Sequence, residues 1–174
     1  MKILFPALAV VLAVTGAQAA AQDVAQMSDV EYAHIAYTAD NIDIRYAHLA
    51  LALSSNPEVR EFAETMIRDH TAVNEAALGL LDKLGVSAQD NAVSQTLNAN
   101  AEKIIDGFVE LRGADFDAAY AANELAYHQA VNDLVENTMI PNIDNAEVKA
   151  LFEQGLEIFK AHEGHAEMMV KALQ

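Results

Sequence analysis

The chain has 174 residues, no cysteine, and 10 basic against 26 acidic side chains, a formal charge of −16. The absence of cysteine excludes disulfides, thiolate metal sites and lipid attachment at an N-terminal cysteine. Acidity on this scale repels phosphate backbones and anionic lipid headgroups, so nucleic acid is not expected as a partner.

Residues 1–19 carry the three parts of a cleavable signal peptide. Lys2 is followed by an apolar run from Ile3 to Val14 and then by the small-x-small pattern Ala17-Gln18-Ala19. Cleavage is expected after Ala19, with Ala21 as the alternative, and the destination is the periplasm or the envelope. The uncharged stretch from Ile3 to Gln22 approaches the ~20 residues that cross a bilayer. A cleavage pattern, however, stands where a stop-transfer flank would be needed. No second apolar run is long enough to span, so no stable membrane insertion is expected after cleavage. Residues 20–27 read as a short tail and 28–174 as one domain.

Within that domain helical periodicity dominates. Ser28 caps a first helix running to about Ser54. Asn56-Pro57 opens a second, with proline at the first helical position, and Gly85 stops it after Leu84. A shorter helix covers about Asn91 to Leu111 and ends at Arg112-Gly113. A third long helix is predicted over Ala114–Met139 and is broken by Pro141-Asn142-Ile143-Asp144. Asp144 and Glu147 spell a capping box for the last helix, Asn145–Leu173. Four long, Ala-rich amphipathic helices predict an all-α, ferritin-like four-helix bundle, with a short extra helix in the connection between helices two and three.

The polar residues near the apolar stripes carry the chemistry. The second helix reads Val59, Phe62, Met66, His70, Val73 at spacings of three and four, and the last places His162 and His165 on one face. In the third long helix the stripe reads Phe116, Tyr120, Asn123, Tyr127, Val131, Leu134, with Glu124 and His128 on its edge. In the first, Asp40 and Asp43 flank Ile35, Ala39, Ile42 and Tyr46. At a rise of ~1.5 Å per residue, Asp43, His70, His128 and His162 all fall near mid-helix, in one layer. Inward-facing groups from different helices in one layer build the metal sites of bundles. His70, His128, His162 and Asp43, with His165 as a fifth, are therefore candidate ligands for one divalent ion. Zn, Fe, Cu and Mn are not distinguished by this donor set, and Met66, Met168 and Met169 would add thioethers for Cu(I). Glu31-x-x-His34 is the one Glu-x-x-His pair, whereas a di-iron carboxylate centre needs two, so ferroxidase chemistry is not expected. No Ser-His-Asp set, phosphate loop or thiol nucleophile stands out, and no catalytic residue is assigned. The alternative is a structural or interaction protein of the envelope whose histidines are buried and neutral. Either reading leaves a homo-oligomer and protein partners open.

The segment Phe62-Ala63-x-x-Met66-Ile67-x-Asp69-His70-Thr71-x-x-Asn74 resembles an exported bacterial family catalogued as domain-of-unknown-function family 4142. The resemblance extends through Gly113-Ala114-Asp115-Phe116-Asp117-x-x-Tyr120 to His128 and His162, and covers about Val30 to Leu173. It implies a ferritin-like bundle with inward histidines and no established activity. Two positions depart from the family pattern. Asp43 stands where Glu is usual, which shortens its reach, and Tyr127-His128 replaces Asp-His, which removes a carboxylate.

Overall fold

The computed structural model describes residues 24–174. The expected signal peptide, both cleavage points and the first residues of the tail lie outside the described residues. The described chain is helical: α1 (Asp29–Leu53), α2 (Pro57–Leu84), α3 (Ala92–Phe108), α4 (Gly113–Leu134), a π-helical turn (Val135–Met139), α5 (Ile140–Asn142) and α6 (Ala146–Ala172). Among the described residues no helix is long and apolar enough to cross a membrane.

Local chemistry sets most of these boundaries. Glu31 accepts from both the backbone N–H and the hydroxyl of Ser28, at 2.9 and 2.7 Å, and so locks the first turn of α1. The Asn56 side chain accepts from the Glu58 N–H and Pro57 follows it at the first position of α2. Gly85 ends α2 at φ 69°, a left-handed conformation that costs glycine little.

Two sequence expectations are corrected. Helical structure does not stop at Met139 but continues through Pro141 to Asn142. The Ile140 N–H reaches back five residues to the Val135 carbonyl, a π-turn that widens the helix just before proline, which has no N–H to bond. The cap of α6 is Asn145, accepting from the Glu147 and Val148 N–H groups, rather than an Asp144–Glu147 box. The N–H groups of Asp144 and Asn145 instead donate to the Asp29 carboxylate and tie the start of α6 to the start of α1.

Cross-links between helices give the topology. The tight Ser54–Asn56 link makes α1 and α2 antiparallel. The next helix, α3, runs along α1, from the His34–Ser94 bond to the Tyr46–Phe108 ring contact. This carries the chain back to the end where α2 began, and there Ser54 donates to Asp117 at 2.5 Å. Antiparallel to α1, α4 is held by the Tyr127 hydroxyl donating to the Ala39 carbonyl at 3.0 Å. Returning beside α4, α6 is fastened by Asn132–Glu163 and Lys160–Glu136. Two antiparallel pairs joined by one lengthwise crossover, with α3 as the crossover helix, make a ferritin-like bundle.

The core is divided in two. One apolar cluster, around Tyr46, Phe62, Met66, Phe116, Tyr120 and Met169, fills the end where α2 starts. A second, around Tyr32, Ile35, Val135, Met139, Val148 and Leu156, fills the opposite end. Between them lies a layer of buried polar side chains.

Candidate metal centre

That layer is built from one or two residues of each long helix. Asp40 and Asp43 come from α1, His70 from α2, Glu124 and His128 from α4, and His162 from α6; each is buried, with Asp43 and Glu124 at 0% exposure. The three imidazoles form a nearly equilateral triangle, with ring centroids 5.8 Å (His70–His128), 5.2 Å (His70–His162) and 5.6 Å (His128–His162) apart. The Asp43 Oδ2 atom sits 3.2 Å from His70 Nε2 and 3.3 Å from His128 Nε2. Phe159 stacks on the His70 ring at 4.7 Å and closes one side.

Each ring is oriented from behind. The outer nitrogen of His70, Nδ1, lies 2.8 Å from Asp40 Oδ1. In His128, Nδ1 lies 2.9 Å from the Glu124 carbonyl, one turn back on the same helix. His162 is turned the other way, its Nε2 lying 3.0 Å from Asp69 Oδ2, while Arg68 grips the same carboxylate. With N–H donated to these three acceptors, His128 Nε2 and His162 Nδ1 turn lone pairs inward, and His70 Nε2 does so once that ring gives up its second proton. Those same three atoms, together with both carboxylate oxygens of Asp43 and of Glu124, are buried without a well-aligned hydrogen bond among the described residues, the close approaches of Asp43 Oδ2 to His70 and His128 being their nearest polar contacts. Buried polar atoms rarely go unpaired, and one remedy for several of them at once is a cation that they could ligate.

The spacing fits that remedy. The nitrogens of His70, His128 and His162 lie within 4.8 Å of one another, as do donor atoms of Asp43, Glu124 and His128. Metal–nitrogen bonds of ~2.0–2.1 Å in a tetrahedral site put donors ~3.4 Å apart, close to the two Asp43–histidine separations. A small void of about 10 Å³ adjoins Asp40, Asp43, His70 and His128, room for about one water-sized body rather than an organic substrate. An outer carboxylate or carbonyl on each imidazole is the usual support of a metal-ligating histidine.

Charge in the metal-free layer follows from burial and proximity. Burial opposes charging His70, but the Asp43 charge and bonds to Asp40 and Asp43 outweigh it and push the ring up to about 10. Burial holds His128 low, and brings His162 down to about 4. The Glu124 carboxyl is held well above the usual range by burial and by the neighbouring Asp43 charge. Without a metal the layer therefore favours charge on His70, beside Asp43 and Asp40, while burial works against charge on Asp40, Glu124, His128 and His162.

Four of the five sequence-predicted ligands, His70, His128, His162 and Asp43, meet here. Shorter than glutamate, Asp43 still reaches both imidazoles. His165 does not join them: it is half-buried, with its ring edge-on to Phe62 at 5.1 Å. His34 bonds Ser94 and His48 is exposed. Met66 is packed in the first apolar cluster and Met168 is 60% exposed. Sequence reasoning left Glu124 on the edge of its helix. The buried face of α4 in fact runs Phe116, Tyr120, Glu124, His128, Asn132, a strict spacing of four that was available as a signal.

No curated protein and no solved structure matches the chain. The sequence profile of one family, described as "Domain of unknown function (DUF4142)", matches residues 13–169. With nearly the whole chain covered, including every residue of the polar layer, the protein belongs to the DUF4142 family.

Proposed function

We propose that the protein is an exported bundle that binds one divalent transition-metal ion in its mid-layer through His70, His128, His162 and Asp43, with Glu124 as the fifth ligand. The observation that carries this reading is the set of unpaired donor atoms, contributed by all four long helices and gathered in two overlapping groups that share His128. Three imidazole nitrogens and carboxylate oxygens suit Zn, Fe, Cu or Ni, with Mn drawn to the carboxylates. His165 stands outside this set because its ring is engaged with Phe62. The arrangement supports holding an ion, and no reaction is assigned to it.

The test is titration of metal-free protein with Zn²⁺ or Co²⁺, followed by calorimetry and thermal unfolding. One ion per chain and a raised Tm are expected, since ligand at 100 times its Kd stabilises by about 2.7 kcal/mol. His128→Ala should abolish the rise. Unchanged melting with every divalent ion would refute the reading. It would favour a second, in which the Asp40–His70–Asp43 array is a structural ion pair of an envelope protein.

A further inference from the structure

Directly outside the metal layer, between α4 and α6, lies an open groove of about 460 Å³. Its walls carry Asp133, Glu136, Glu163 and Glu167 against one cation, Lys160, which is paired with Glu136 at 2.8 Å. An acidic groove alone means little in a chain with 26 acidic against 10 basic side chains. Asn132 makes it informative. It lines the groove yet is only 4% exposed, and its Oδ1 has no partner among the described residues. Its Nδ2 donates to Glu163 Oε2 at 2.8 Å.

The position of that bridge matters. Asn132 lies one helical turn beyond His128 on the same buried face of α4. Glu163 directly follows His162 on α6, and its charge acts on the His128 ring. The Asn132–Glu163 bridge thus lines the groove from positions next to two of the ligands along α4 and α6. An amide oxygen and a carboxylate are both cation ligands, and a groove lined by one sign of charge concentrates the opposite sign. On the other side of His70 the Phe159 ring stacks at 4.7 Å, and the space beside it is lined mostly by apolar side chains rather than by carboxylates.

Building on the metal-binding reading, we propose that this groove is the uptake route for the divalent ion, with Glu163 and Asn132 as transfer ligands that hand it to His128 and His162. Stopped-flow uptake of Co²⁺ by the metal-free protein, read from its visible absorbance, tests this. In Glu163→Gln the association rate should fall about tenfold and lose much of its salt dependence, with release slowing alongside, so that Kd moves less than the rate. Gly164→Tyr is a second, charge-neutral variant. Gly164 lines the groove and a Cβ there meets nothing within 4 Å, so the ring should obstruct uptake without touching a ligand. Glu61→Gln/Glu64→Gln, on the exposed face of α2, removes charge elsewhere and should leave the rate unchanged. Wild-type rates in both groove variants, or equal slowing in the α2 control, would overturn the route while leaving the metal site standing. A wild-type protein that takes up no Co²⁺ would remove both.

Discussion

Glu124 is a carboxyl group at 0% exposure with no well-aligned hydrogen bond to either oxygen among the described residues, and its neighbours explain how the fold tolerates it. Burial and the Asp43 charge hold it well above the usual carboxylate range in the metal-free protein, which favours the neutral acid and lessens the large cost of an uncompensated buried anion. Bound metal would reverse the balance and claim the carboxylate. Glu124→Gln, close in shape to the protonated acid, is therefore expected to change metal-free stability by less than about 1 kcal/mol. Metal affinity should fall by about tenfold or more, the scale at which even groups behind the ligands act. Chemical denaturation and metal titration of the same variant check the two halves. Equal affinity in the variant and the wild type would take Glu124 out of the ligand set.

At the level of the element, the polar layer depends on each helix keeping its rotation and its height. The link between α1 and α2 shows how height is held. Ser54 donates to the buried Asp117 of α4, its hydroxyl also accepts from the Asn56 N–H, and Arg60 caps the Leu51 and Ser54 carbonyls. One serine thus joins three helices at the end of the bundle. Ser54→Ala should destabilise the protein by about 1–3 kcal/mol, because Asp117 keeps its burial and loses its donor, while metal affinity stays near wild type. Denaturant midpoints and Kd measured together separate these effects; a large loss of affinity would mean that this end sets the geometry of the centre. The helix spans were legible because caps and stops are local: Ser28, Asn56, Pro57 and Gly85 act within one turn. The π-turn at Val135–Met139 was not legible, because widening depends on how α4 must meet α6 and on a proline two residues past its end.

For the whole molecule, the buried charges set a pH dependence with a definite sign. Unfolded histidine titrates near 6.5, whereas His70 in the metal-free fold is pushed up to about 10, against its own burial, by Asp43 and Asp40. Between these values the folded protein holds a proton that the unfolded chain has lost. The stabilisation is complete below about pH 6.5 and disappears as pH rises toward 10. Glu124, raised by burial, acts in the same direction. His162 and His128, held low by burial, work the other way: their contribution is present above about 6.5 and is lost as pH falls. The Tm of metal-free protein should accordingly drop from pH 7 to 10. With saturating metal the drop should shrink, because the ion takes the place of the His70 proton. Thermal unfolding with chelator and with metal across that range is the check, and parallel curves would show that the His70 proton and the ion do not compete.

By itself the sequence determined an all-helical bundle, most of the helix ends, and a layer at mid-height that contains Asp43, His70, His128 and His162. Those properties follow from local caps and from a constant rise per residue. Only the tertiary structure decided which way each helix turns about its own axis. Periodicity relates side chains within one helix, but neighbouring helices choose the face that is buried. Rotation of α4 placed Glu124 inside and left Tyr127 to bond Ala39. Rotation of α6 carried His162 inward and left His165 against Phe62. The outer bonds from Asp40, Asp69 and the Glu124 carbonyl, which orient the three imidazoles of the layer, likewise exist only once four helices have packed together.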